Sequence, residues 1–237
     1  MKDVPNELSK LQRDLRKNGS KMKVKNSARF FKTGKGEYGA HDRFLGVTVP
    51  EVRLLAKRYS NLALADVREL LQSPFNEERL LALIVLVNQY RRGNVKHKQK
   101  IFTLYCKEIK QVNNWNLVDT SAQYILGETL ITKERVLLYR LLHSENIWER
   151  RIAIVATWAF IKRSDLDDTF RISEKLFSDK EDLMHKAVGW MLREAGKRDE
   201  KRLKAFLIKH IKVIPRTTLR YAIERFSVDE RKRMLLR

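Results

Sequence analysis

The chain has 237 residues, room for one sizeable core, and 50 Lys+Arg against 29 Asp+Glu give it a formal charge of +21 and a pI near 10.1. Its single cysteine, Cys106, excludes an internal disulfide and any cysteine-based zinc cage, and the five histidines lack the i, i+4 spacing of a metal-binding helix. No apolar run approaches the roughly 20 residues of a membrane span, since even LLALIVLVNQY at 80–90 ends in Arg91 and Arg92. MKDVPNELSKLQRDL has no apolar secretory core.

With only 9 Gly and 4 Pro and an abundance of Leu, Lys, Arg, Glu and Ala, the composition predicts an all-α protein. The first helix is expected over 4–18, with Val4, Leu8, Leu11 and Leu15 on one stripe and Gly19 as its stop. A basic helix follows at 22–32. FKTGKGEYGAHDRFLGVTVP then holds four of the nine glycines and reads as the one long loop. GKGEYG lacks the G-K-[ST] ending and the preceding strand of a phosphate-binding loop. Pro50 opens a helix to Tyr59. Beyond it, helices are expected at 65–72, 76–92, 95–111, 114–130, 133–143, 146–163, 166–178, 181–196, 199–211, 216–226 and 228–235. Asn146 and Glu149 form the signature of a capping box, and Cys106 in FTLYCKEI reads as a small buried hydrophobe.

Aligning the second helix of successive pairs puts Arg79, Asp119, Arg151, Lys186 and Arg220 in one column, with separations of 40, 32, 35 and 34 residues between these positions. Such periods belong to two-helix solenoid repeats, whose units bury their apolar faces only against neighbours and leave one helix per unit on a concave surface. The column is four cations and one acid. Trp115 and Asp119 in NNWNLVDTS lie four apart and so share a helix face, and Trp190 stands four beyond Lys186. Trp158, in ATWAFI, reads as core. Asp119 taken alone also reads as a carboxylate favoured by the helix dipole.

As a group these residues suggest chemistry. So much uncompensated positive charge is most useful against a polyanion, nucleic acid first, an anionic membrane being disfavoured by the even spread of the charge. A cationic base is drawn to indole faces, and breaking its N-glycosidic bond builds positive charge on the sugar, which a nearby carboxylate stabilises while orienting water.

The segments WNLVDTS (115–121), NIWERRIAI (146–154), KAVGWMLREAGK (186–197) and FFKTGKGEYGAHDRFLGVTVPEVRLLAK (30–57) resemble the AlkD-type DNA alkylation repair glycosylases, in the same order and over about residues 25–200. The resemblance implies a right-handed solenoid of stacked antiparallel helical hairpins (HEAT-like repeats) with a concave basic groove, residues 1–237 forming a single domain. It implies a monofunctional, metal-independent glycosylase, without cofactor, that removes positively charged N3- and N7-alkylated purines (3-methyladenine, 7-methylguanine) from duplex DNA for base excision repair, without a deep base pocket. Asp119 and Trp115 correspond to the family's W-x-x-x-D motif, Arg151 to the arginine after N-I-W, which would bind the phosphate near the lesion, and Trp190 to the tryptophan of G-W-x-L-R-E. Arg193 would contact the backbone, and Arg79, Lys186 and Arg220 would add phosphate affinity. Asn114 and Asn116 stand where some relatives carry another aromatic and another acid, and the glycine loop varies in length across the family. The expected state is a cytoplasmic monomer, nucleoid-associated in a bacterium, with alkylated double-stranded DNA as partner and no membrane. The alternatives are a non-catalytic helical-repeat module recognising damaged or branched DNA, and a scaffold for an acidic protein.

Overall fold

A computed structural model describes residues 6–236, which are helical apart from short connections and the long loop; among them there is no strand, only an isolated parallel bridge between Arg43 and Phe75. None of these helices is long and apolar enough to cross a membrane. The chain divides into two compact units, Met1–Ser121 and Ala122–Arg237.

The first unit holds α1 (Glu7–Lys17), α2 (Lys21–Phe30), α3 (Val49–Arg58), α4 (Leu64–Leu71), α5 (Asn76–Arg92), α6 (Val95–Lys107) and nearly all of α7 (Trp115–Ala122). α1 starts where Asn6 accepts the N–H of Ser9, buries the stripe Leu8, Leu11 and Leu15, and ends before Gly19; Val4 lies outside the described residues. α3 opens on a capping box between Thr48 and Glu51 with Pro50 in its first turn. α5 is the hub, packing on α3, α4 and α6, so its run Leu80–Val87 is buried throughout. Cys106, on α6, is half-buried rather than core.

The second unit begins with a π-helical stretch at Gln123–Gly127, in which the N–H of Glu128 reaches back to the Gln123 carbonyl, followed by α8 (Glu128–Leu130), α9 (Val136–Leu142), α10 (Ile147–Ala156) and α11 (Trp158–Ile161). Then come α12 (Asp167–Lys175), α13 (Asp182–Gly196), α14 (Glu200–Lys209), α15 (Arg216–Ala222) and α16 (Val228–Leu235). The helix expected over 146–163 is interrupted at Thr157, whose hydroxyl bonds the Ile154 carbonyl at 2.7 Å and draws that turn out of regular α geometry. Asn146 caps α10 through the N–H of Trp148 at 2.9 Å, while reciprocal boxes with an acid are found at Thr48 with Glu51 and at Ser227 with Glu230.

Within each unit, helices near in sequence pack on one another, which is the construction of a helical-repeat solenoid. In the second unit α13 is central. It packs on α10, α12, α14 and α15, and places Val188, Met191 and Leu192 in the core. The column helices α10, α13 and α15 are therefore successive neighbours, as the repeat alignment requires.

Candidate functional site

In the first unit the long loop, the start of α5 and the start of α7 are tied by buried polar groups. Asp42 of the loop is buried; it forms an ion pair with Arg79 and accepts from Asn76 at 3.0 Å and from Asn114 at 2.5 Å. Asn114 also caps α7, its side-chain oxygen accepting the N–H of Trp115 at 2.7 Å. Asn116 donates to Asn76 at 2.7 Å. Asn114 and Asn116 are thus the anchors of the helix that carries Trp115 and Asp119.

Arg79 is 2% exposed, and the other terminal nitrogen of its guanidinium, Nη1, donates to the Ser73 carbonyl at 2.6 Å. Burial lowers its pKa and Asp42 opposes that shift, so the guanidinium lies in the interior as a strut between loop and helix. Beside it, the buried carboxylate of Glu77 accepts the backbone N–H groups of Leu45 (3.0 Å), Gly46 (2.8 Å) and Val47 (3.3 Å). Gly46 has φ +78°, and a Cβ there would meet the Ser20 carbonyl at 2.2 Å, so only glycine lets the loop pass this close to the start of α2.

That loop delivers an aromatic stack. Phe31 lies between Phe44 (centroids 5.0 Å, planes 23° apart) and Trp115 (4.9 Å, 17°), and Phe30 meets Trp115 edge-on at 5.5 Å. Trp115 and Asp119 are both half-buried, one turn apart on α7. Phe30 is 66% exposed at the end of α2, a helix with no buried residue and with exposed Lys21, Lys25 and Arg29. Phe30 and Phe31 were not expected as members of this group. The available signal was an aromatic pair at the end of a cationic helix with no apolar stripe of its own.

The other expected residues fall in the second unit. Arg151 is 5% exposed and donates to the Leu183 carbonyl at 2.7 Å, joining α10 to α13. Trp190 is half-buried and edge-on to Trp158, with centroids 5.1 Å apart. Trp158, expected in the core, is itself half-buried, because α11 restarts after Thr157 and turns this ring towards Trp190 and the Lys162 ammonium, 5.2 Å from its centre. Lys186 pairs with Asp182 at 2.7 Å. Arg193 is paired with Glu224, and Arg220 is exposed in the same cleft. The structure brings together Trp115 with Asp119, Trp190 with Trp158, and Arg193 with Arg220. The aligned column is not uniform: Arg79 and Arg151 are interior, Asp119 and Lys186 half-buried, Arg220 exposed.

An all-helical repeat fold with an acid one turn from a seated indole is the class defined so far. The sequence model for DNA alkylation repair enzymes matches residues 11–226, and the chain belongs to that family. Among solved structures, a predicted DNA alkylation repair enzyme from Enterococcus faecalis superposes with a TM-score of 0.67 at 15% identity, over 89% of this chain and 98% of that one. At such identity the likeness shows the fold. The curated proteins gave no match.

Proposed function

We propose that the protein is an AlkD-type glycosylase, which hydrolyses the N-glycosidic bond of positively charged alkylated purines in duplex DNA. The observation that carries this reading is the seating of Trp115 and Asp119 on one turn of α7: the indole is braced by Phe31 and the carboxylate is partly open to solvent. Membership of a DNA alkylation repair family supports it.

In this reading the alkylated base leaves neutral, because the electron pair of the C1′–N bond cancels its positive charge. Asp119 stabilises the cation developing on the sugar and orients the water whose oxygen adds to C1′ and whose proton passes to solvent. Trp115 offers its π face to that cationic sugar, and Trp190 contributes a contact to DNA within its own unit. Arg151 and Arg79, being interior, act by holding α10 to α13 and the loop to α5. Lys186, Arg193 and Arg220 supply phosphate affinity, so binding weakens as salt rises.

Asp119→Asn tests the mechanism. It should lower release of 7-methylguanine from methylated duplex by at least about a hundredfold, the scale of losing a charge stabiliser in a transition state, while duplex affinity stays equal or improves. Unchanged release would remove Asp119 from the reaction. Tight, salt-sensitive binding by the native protein with no base freed would leave a damage-binding module instead.

A further inference from the structure

Arginines from three helices of the second unit line one surface cleft: Arg193 of α13, Arg220 of α15 and Arg231 of α16, with Tyr221 beside them. Glu224 is the acid in that lining, and it is paired with Arg193. The next carboxylate, Glu194, is 3.6 Å from Arg193 Nε but is held by the Lys197 ammonium, 2.7 Å from both its oxygens. Among the described residues the guanidiniums of Arg220 and Arg231 have no hydrogen-bond or ion-pair partner, and Arg193 Nε is buried without a hydrogen bond. A buried donor without an acceptor and two unpaired guanidiniums make a site that lacks anionic oxygen.

We propose that this cleft seats a backbone phosphate of duplex DNA, and that Glu224 is its counter-ion in the free protein. The inference rests on the reading of the chain as an enzyme acting on DNA. Planar guanidiniums suit phosphate oxygens two at a time, and phosphate entering the cleft takes from Arg193 the place that Glu224 holds. Glu224 thereby opposes binding: each bound phosphate must displace it. Arg231 and Glu224 join Arg193 and Arg220 as determinants of DNA affinity.

Binding of an unmodified duplex, followed by fluorescence anisotropy over a salt series, tests this without reference to base release. Arg220→Gln and Arg231→Gln should each weaken binding and each lower the slope of log K against log salt by about 0.9, the loss of one phosphate contact. Glu224→Gln should tighten binding several-fold, and that gain should vanish in the Arg193→Gln background. A double Arg220→Gln, Arg231→Gln variant with the native slope would overturn the proposal. So would a Glu224→Gln gain that persists without Arg193, or displacement of the duplex by millimolar inorganic phosphate at constant ionic strength, which would mark a free-anion site. A protein that frees no base yet shows these binding changes retains the cleft and loses only the glycosylase reading; an active enzyme without them loses only the cleft.

Discussion

Phe31 stacks on Trp115 with ring centroids 4.9 Å apart and planes 17° from parallel. One face of the indole is therefore occupied by the protein, and its edge is fixed by Phe30. Trp115 remains half-buried, so part of its surface is open to a nucleotide. An indole held from behind needs no reordering when substrate arrives, so its contribution comes without the entropy cost of fixing a loose side chain.

Replacing Phe31 with leucine keeps an apolar group but removes both stacked pairs. Each aromatic pair is worth about 0.5–1.5 kcal/mol beyond its buried area. Part of that loss should fall on the orientation of Trp115, lowering the single-turnover rate of 7-methylguanine release by roughly three- to tenfold, since 1.4 kcal/mol corresponds to about a factor of ten. Duplex affinity should change little, because no cation is touched. A native rate in Phe31→Leu would show that the stack serves folding alone.

Arg79 gives a sharper contrast between charge as a binding group and charge as a strut. Arg79→Met removes one partner of a buried pair and leaves Asp42 with the amides of Asn76 and Asn114 and the His41 ring, 3.7 Å away. Breaking such pairs costs roughly 3–5 kcal/mol, and the two amide donors that stay behind place the expected loss near the lower end. Urea unfolding should show the lowered midpoint. The salt slope of duplex binding should remain native, because Arg79 is 2% exposed. A slope reduced by about one, with stability intact, would instead make Arg79 a phosphate contact.

Helix positions were largely legible in the sequence, because they depend on local periodicity, proline and glycine. The helix expected at 76–92 is α5 to the residue, and 228–235 is α16. The interruptions at Thr157 and Gln123–Gly127 were not legible, since each is a rearrangement of hydrogen bonds inside an unbroken helical pattern. Which way a polar side chain turns was legible only where its partner is close in the chain. Trp115 and Asp119 share a turn, and their common face follows from spacing alone. Arg79 faces inward because of Asp42, 37 residues earlier, and Arg151 because of the Leu183 carbonyl, 32 residues later. Both were expected to bind phosphate, since nothing local distinguishes an arginine that is paired inside from one that is exposed. Phe31 escaped notice for the same reason: Trp115 is its partner only after the loop has folded back.

Gly189, in the G-W pair, is a packing requirement. A Cβ there would lie 2.5 Å from the Tyr221 Cβ and 2.6 Å from the Thr218 carbonyl oxygen, so α13 and α15 approach closely only because the side chain is absent. Helix propensity alone favours Gly189→Ala by about 1 kcal/mol. Overpacking a tight contact costs about 1–3 kcal/mol, and here one of the obstructing atoms is backbone, which cannot rotate away. The expected sign is therefore destabilisation, seen as a lower melting temperature. A more stable Gly189→Ala protein would mean that the two helices separate easily in solution.

The seat of α16 should depend on pH through Glu230. Its carboxylate accepts from the Lys204 ammonium at 2.6 Å and from the Ser227 hydroxyl at 2.9 Å, and these bonds, Lys204 first, pull its pKa from the ordinary 4.5 down to about 2. A depressed carboxyl pKa means that the folded state favours the ionised form. The stabilisation is complete above the unfolded value of 4.5 and is lost as pH falls through 2. The pKa of Lys204 is raised, by its bond to Glu200 first and then by Glu230, the matching direction for a shared cation. Because Glu230 also completes the capping box of α16 and precedes Arg231, protonating it loosens the helix that carries one wall of the arginine cleft. Carboxyl NMR titration should give Glu230 a midpoint near 2. Amide exchange in α16 should quicken between pH 4.5 and 2 relative to α13, and Glu230→Gln should remove that dependence. A midpoint near 4.5 would show that Lys204 does not hold Glu230 in solution.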